Sequence, residues 1–246
     1  MRIHCFSGNG NSAAVAARLG QLLHDESNDI LWVFPVYAWG IPPVVVSRIK
    51  EMDLNGIRCH MVCTCGDETG NIDRQWHRLI LSCGGVPGGI YSVQMPNTYV
   101  CLPFFNVDKP EIASQKLNAS GQRIDTIAEW LSDRDFRTDL LRGSLPWFKT
   151  TVIYPWFCRF LMNSSKSSKF HHTNSCTACG LCSKMCPCHN ISTGPEGYPQ
   201  WDNHCASCLR CYHICPRHAV AYGKRTAGKG QYLHPLFRKL FPISAK

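Results

Sequence analysis

Hydrophobic and polar positions follow two regimes along the chain. Up to about residue 131, short apolar runs alternate with longer segments of helical period. Arg2 to Phe6 reads as a strand, and Ala13 to Leu23 as a helix propagated by alanine and leucine. Asp29 to Val36 is a second, apolar strand, after which proline at the first turn starts a helix over Val44 to Met52. Ile57 to Cys63 and Gly89 to Met95 repeat the strand signal around a helix over Ile72 to Cys83, and a long amphipathic helix covers about Lys109 to Leu131. Strands alternating with helices of this length predict an α/β domain with a parallel sheet and right-handed crossovers.

In such sheets ligands sit at the carboxyl ends of the strands. Four loops leave those ends, at residues 7 to 12, 37 to 43, 64 to 71 and 96 to 100, so that one ligand could touch them all. Ser7-Gly8-Asn9-Gly10-Asn11-Ser12 lies between a strand and a helix N-terminus, where glycines, backbone N–H groups and the helix dipole suit an anion; an ordinary strand-to-helix turn has the same composition.

Beyond residue 131 the periodicity fades and cysteine takes over. From Cys176 to Pro216 the pattern C-x2-C-x2-C-x3-C-P occurs twice, the first copy opening at Cys176 and the second at Cys205. The chain holds 16 cysteines, and its first residues run straight into a strand with no leader, which points to a reducing cytoplasm and away from secretion. No apolar stretch approaches a membrane span, and Val152 to Met162 is broken by Pro155 and Arg159. Residues 1 to 150 carry 14 Lys/Arg against 15 Asp/Glu, whereas residues 151 to 246 carry 12 against 2. A basic surface there would steer an acidic redox protein or an anionic cofactor; the cations are too scattered for a nucleic-acid motif.

Each cysteine run is that of the bacterial ferredoxins, in which three thiolates hold one [4Fe-4S] cube and the fourth reaches across to the other. The resemblance implies one cluster on Cys176, Cys179, Cys182 and Cys215, and a second on Cys205, Cys208, Cys211 and Cys186. Three closely spaced thiolates wrap three corners of a cube, and Pro187 and Pro216 turn the chain away towards the other site. An all-cysteine zinc site is the rival; it would leave the third cysteine of each half and both Cys-Pro steps without a role. Cys188 is then a spare ligand or an incidental small thiol, and the six histidines between His171 and His218 are solvated or hydrogen-bonded side chains.

Ser7 to Ser12 also resembles the phosphate loop of flavodoxins, Phe34 to Pro42 their aromatic flavin loop, and Thr64 to Gly70 their third loop. With both cysteine runs downstream, and with Gln94 to Tyr99 and Gln231 to Pro235, the whole chain resembles the flavodoxin/ferredoxin fusion proteins of anaerobic bacteria and archaea, residues 133 to 170 being least informative. The resemblance implies FMN as well as two [4Fe-4S] clusters. Ser7, Gly8, Asn9, Gly10, Asn11 and Ser12 would hold the FMN phosphate, and Pro35, Tyr37, Ala38, Trp39, Gly40, Thr64, Cys65, Gly66, Asp67, Asn97 and Tyr99 would surround the ring, with Trp39 the favoured stacking partner. Asp67 and Glu68 near the ring would lower the flavin potential. Only residues 24 to 28 separate the first helix from the second strand, so the second strand of the flavodoxin order 2-1-3-4-5 is expected to be missing, leaving a four-stranded 1-3-4-5 sheet. A small α+β 2[4Fe-4S] ferredoxin-like domain follows.

The expected organisation is a flavodoxin-like FMN domain over residues 1–132, a linker over 133–170, the ferredoxin domain over 171–223 and a basic tail over 224–246, either an amphipathic helix at a membrane surface or a segment docked on its own sheet domain. The leading functional expectation is electron transfer between FMN, the two clusters and a partner redox protein. The alternatives are an FMN-dependent reductase of a small substrate fed by the clusters, with Tyr37 or Tyr99 as proton donor, and a zinc-stabilised binding module. No constellation of catalytic acid, base and nucleophile stands out.

Overall fold

The structure, a computed structural model, describes residues 1–162 and 169–240. Residues 163–168 of the expected linker and 241–246 of the basic tail lie outside the described residues. The chain divides into two compact units: the first holds residues 1–7, 11–96 and 109–158, the second residues 8–10, 97–108 and the chain from Arg159 onwards. Residues 133–158, expected within a linker, therefore belong to the first unit.

In the first unit β1 (Arg2–Cys5), β2 (Ile30–Pro35), β3 (Arg58–Cys65) and β4 (Val86–Gln94) lie side by side in chain order, all parallel. Alternation along the strands sends Ile30, Trp32, Phe34, Met61 and Ile90 to one face and Leu31, Val33, Val62, Tyr91 and Val93 to the other. α2 (Pro43–Lys50) and α3 (Ile72–Ser82) cover the first face with Val45, Ile49, Ile72, Trp76 and Ile80. α1 (Asn11–Leu22) and α4 (Pro110–Ser132) cover the second with Val15, Leu19, Ile124, Ile127 and Leu131. Each helix presents its apolar residues three or four apart, and a sheet covered on both faces explains why the central strands read as nearly unbroken apolar runs.

Residues 23–29 form no strand, so β1 stands at an edge as expected. The sheet nevertheless has five strands, not four, because β5 (Thr138–Asp139) adds in parallel to Ile90 and Tyr91 of β4. Two polar residues carry no period for a sequence reading to find. Side chains hold them instead: Arg123 of α4 donates to Ser92 O at 3.0 Å and to Asp139 Oδ2 and O at 3.2 Å each, and Leu141 N donates to Ser92 Oγ at 2.9 Å.

The strap after β5 is clamped to the loop before α3. Arg142 grips Asp73 through two parallel bonds of 2.7 and 2.9 Å and also donates to Asn71 Oδ1 at 3.0 Å. Burial would raise the pKa of Asp73, but the guanidinium overturns that and holds it below the usual carboxylate range. A carboxyl depressed in the folded state stabilises above its unfolded pKa and loses that contribution as pH falls through the folded value. Arg142→Ala should therefore destabilise the first unit by about 1–2 kcal/mol at neutral pH, the partly exposed guanidinium tempering the effect, and by less in acid. Urea unfolding followed by tryptophan fluorescence at both pH values checks this; an equal loss at both would contradict it.

α5 (Pro146–Phe148), a π-helical turn (Lys149–Ile153) and α6 (Tyr154–Phe160) follow. Lys149 pairs with Glu68, Thr150 Oγ1 donates to Trp39 O at 3.0 Å, and Tyr154 Oη donates to Ile41 O at 2.5 Å. Among the described residues no helix is long and apolar enough to cross a membrane.

The second unit is built from a repeated strand-helix-strand element. β6 (Phe170–His172), α7 (Leu181–Lys184) and β7 (Ile191–Thr193) recur as β8 (Pro199–Trp201), α8 (Arg210–Ile214) and β9 (Val220–Tyr222), each at the offset that separates Cys176 from Cys205. The strands pair crosswise and antiparallel, β6 with β9 and β7 with β8, so each half closes only on the other. Phe170, Ile191, Leu209, Tyr212, Val220 and Tyr222 form the core, joined by Val100 from the 97–108 segment. Lys229 fastens that segment by donating to Val100 O at 2.8 Å and Leu102 O at 2.5 Å. α9 (Pro235–Leu240) ends the described chain.

Candidate functional site

Six of the eight cysteines of the two runs lie on the loops around α7 and α8, and Cys182 and Cys211 lie in the helices themselves. Six positions there have left-handed backbone, and they form three pairs matched between the halves: Ala178 and Ser207, Gly180 and Leu209, His189 and His218. Five of the six carry a Cβ, and each of those costs about 1–2 kcal/mol in this region. Such strain persists where something else fixes the loop. Positive φ before and after the second cysteine bends each C-x2-C-x2-C segment into an arc, and the third pair turns the chain after each Cys-Pro step.

Thiols of the two runs lie close enough to act on one another electrostatically. Burial above all raises the Cys182 thiol to about 11, opposed by the Ser183 N–H and reinforced by Cys215, Cys179 and Cys176. Burial likewise pushes Cys208 up to about 12, with Cys205 and Cys186 as its thiol neighbours. A buried thiol of this kind ionises only against a compensating cation, as a metal ligand would. Backbone N–H groups already face sulfur in matching places: Asn190 N donates to Cys186 Sγ at 3.3 Å, Ala219 N to Cys215 Sγ at 3.2 Å, and Ser207 N to Cys205 Sγ at 3.3 Å.

Cys186, Cys205, Cys208 and Cys211 line one cavity together with Cys188, Asn190 and Trp201. The Asn190 Nδ2 and Trp201 Nε1 donors are buried there with no nitrogen or oxygen partner, the indole being turned towards the Cys211 sulfur. Donors left over beside four thiols fit a group that brings sulfur acceptors with it. His172, the residue matching Trp201 in the first half, also has a buried ring nitrogen, Nδ1, without a partner. Among the described residues no three His, Cys, Asp or Glu side chains stand at the spacing of a single metal ion.

Two histidines near these loops, His213 and His218, are engaged elsewhere. His213 is buried and neutral, its pKa pushed down to about 4 by burial. The Tyr232 N–H donates to its Nδ1 at 3.1 Å, which leaves Nε2–H to donate to Thr98 O at 2.8 Å. His218 Nε2 bonds the Tyr212 hydroxyl at 2.8 Å.

The residues expected around FMN are divided. Ser7, Asn11, Ser12, Pro35, Tyr37, Ala38, Trp39, Gly40, Thr64, Cys65, Gly66 and Asp67 belong to the first unit, and Gly8, Asn9, Gly10, Asn97 and Tyr99 to the second. A Cβ on Gly8 would stand 2.5 Å from Cys208 O, and one on Gly10 would stand 2.5 Å from Phe237 Cβ. Asn9 O accepts from His234 N at 2.9 Å, and Gly8 O accepts from Arg210 Nε at 2.7 Å. The two glycines thus serve close approach of the chain itself. In the first unit Ser12 Oγ and Thr64 Oγ1 bond one another at 2.7 Å. Trp39 is half-buried, not on an exposed loop: Lys149 Nζ sits 5.3 Å from its ring centre, and Tyr154 packs against Gly40. Glu68 secures the 144–149 turn, accepting from Ser144 N at 2.9 Å. Cys65 is buried and its thiol is pushed up to about 12, which removes it as a reactive thiolate. Tyr99 packs edge-on to Phe105 at 6.0 Å, and burial raises its hydroxyl pKa.

Arg210, Asn190 and Trp201 escaped the sequence reading. Setting the two halves side by side would have flagged them, since Arg210 falls opposite Leu181, Asn190 opposite Ala219 and Trp201 opposite His172.

No protein-family model and no curated protein matches the chain. Among solved structures, a flavodoxin of Streptococcus pneumonia TIGR4 is a distant neighbour, 16% identical, with a TM-score of 0.36 over 54% of this chain and 97% of that one.

Proposed function

We propose that the chain is a one-electron carrier whose redox groups are two [4Fe-4S] clusters, one on Cys176, Cys179, Cys182 and Cys215, the other on Cys205, Cys208, Cys211 and Cys186. The observation that supports this is the interlocked repeat: its strained loops carry the cysteines of both runs, backbone donors face sulfur, and Cys182 has Cys215 of the other half among its thiol neighbours. When bound, such clusters accept and return single electrons without breaking bonds. The chain supplies ligands, excludes water around Cys211 and sets the local charge. Twelve Lys/Arg against two Asp/Glu after residue 150 favour an acidic redox protein as the partner.

FMN is not part of this proposal; Gly8 to Gly10 pack against residues 208–237 of their own unit, and the flavin content of the purified protein decides whether the loops hold FMN as well. Anaerobic purification should give about eight iron and eight sulfide per chain, as two cubes require. Zinc in place of iron would overturn the cluster reading, and stoichiometric FMN would restore the flavin.

A further inference from the structure

The close repeat makes the differences between its halves informative. Opposite the uncharged Leu181 stands Arg210, between Cys208 and Cys211 in the chain. Its guanidinium is fixed by Gly8 O at 2.7 Å and by Met185 O, the carbonyl next to Cys186, at 3.1 Å, with the Phe237 ring centre 5.1 Å away. Opposite Ala219, which has no side-chain donor, stands Asn190, wholly buried, with its Nδ2 unpartnered in the cavity of the second thiol set. Its Oδ1 is taken by His204 N at 2.7 Å, which orients the amide so that Nδ2 faces away from that bond.

Resting on the cluster assignment above, we propose that Arg210 and Asn190 are positioning residues that selectively stabilise the reduced state of the cluster on Cys205, Cys208, Cys211 and Cys186. Reduction adds one electron to an already anionic group and breaks no bond. A fixed cation and a pre-aimed N–H both favour the extra negative charge. Burial of Cys211 works in the opposite direction, since an anion out of water is harder to reduce, whereas Cys179 of the first set is exposed. The same exclusion of water strengthens the field of the guanidinium, so the two residues offset what burial would cost the second cluster.

The test is a redox titration of the intact holoprotein with dithionite and viologen mediators, followed by electron paramagnetic resonance. In wild type the two clusters define two one-electron steps. Arg210→Leu, which copies the residue of the other half, should raise the oxidised-to-reduced ratio of one step about tenfold at fixed potential, ~59 mV for one electron, and leave the other step in place. Arg210→Lys, which keeps the charge, should restore most of the shift. If the Leu variant fails to hold its second cluster, Asn190→Ala carries the same test with a smaller shift of the same sign. With iron at its wild-type level, unmoved or equally moved steps would overturn the proposal. A wild-type protein without about eight iron would overturn the cluster assignment itself.

Discussion

Cys215→Ala should leave the protein with about half its iron, as expected if four thiols serve each cube. The loss falls on the first set, although Cys215 sits in the second half of the repeat, because the thiols gathered with Cys182 include Cys215. Cys186→Ala should do the reverse. Each variant also loosens the strands that the missing thiolate adjoins, since Ala219 N bonds Cys215 Sγ just before β9 and Asn190 N bonds Cys186 Sγ just before β7. Cys188→Ala, at the ninth thiol of the region, should keep full iron content and serves as the control. Iron and sulfide analysis with the visible spectrum decides the matter. If Cys215→Ala removed the iron of the Cys205, Cys208 and Cys211 set, the crosswise assignment would be wrong.

Removing the iron altogether should unfold the second unit and spare the first. The second unit has short strands and a modest core, and its left-handed loops are strained without a tie. Metal binding contributes about 10–16 kcal/mol of folding free energy to zinc-finger peptides, and cluster-thiolate bonds on that scale would far exceed the backbone strain they hold. The first unit owes nothing to them, because its two cores rest on Ile30, Phe34, Trp76, Tyr91 and their neighbours. Anaerobic chelation followed by hydrogen exchange should therefore show protection lost over 170–222 and kept in β2, β3 and β4. Uniform protection in the iron-free protein would show that the second unit folds on side-chain packing alone.

The sheet could be read from the sequence because each central strand is an apolar run bounded by loop residues, and each helix keeps its period. Thr138 and Asp139 could not be read, since Arg123 and Ser92, distant in the chain, hold that strand in place. The strand-helix-strand repeat was legible through its two cysteine runs, whose offset the elements of the second unit share. The glycine loop was legible as a loop: a residue without a side chain suits close approach by a phosphate or by another stretch of the same chain, and only the fold shows Cys208 and Phe237 beside it. Asn97 and Tyr99 follow a strand that should point at a ligand, yet their segment belongs with the second unit, where Val100 is buried. Arg210 was hidden by a plain reading of the charge, which counts a cation without weighing what stands at the same place in the sister half.

On the proposed assignment, crosswise ligation would also impose an order on synthesis. Cys176, Cys179 and Cys182 leave the ribosome before the other thiols assigned to either cluster, but their fourth partner, Cys215, leaves last. The site begun first is thus closed last, and the second set is whole as soon as Cys211 has emerged. In between, the nascent chain presents three thiols around an open corner, the state in which oxygen or a stray metal would do most damage. A message cut short between residues 211 and 215 would yield a protein with one site complete and the other permanently unfinished.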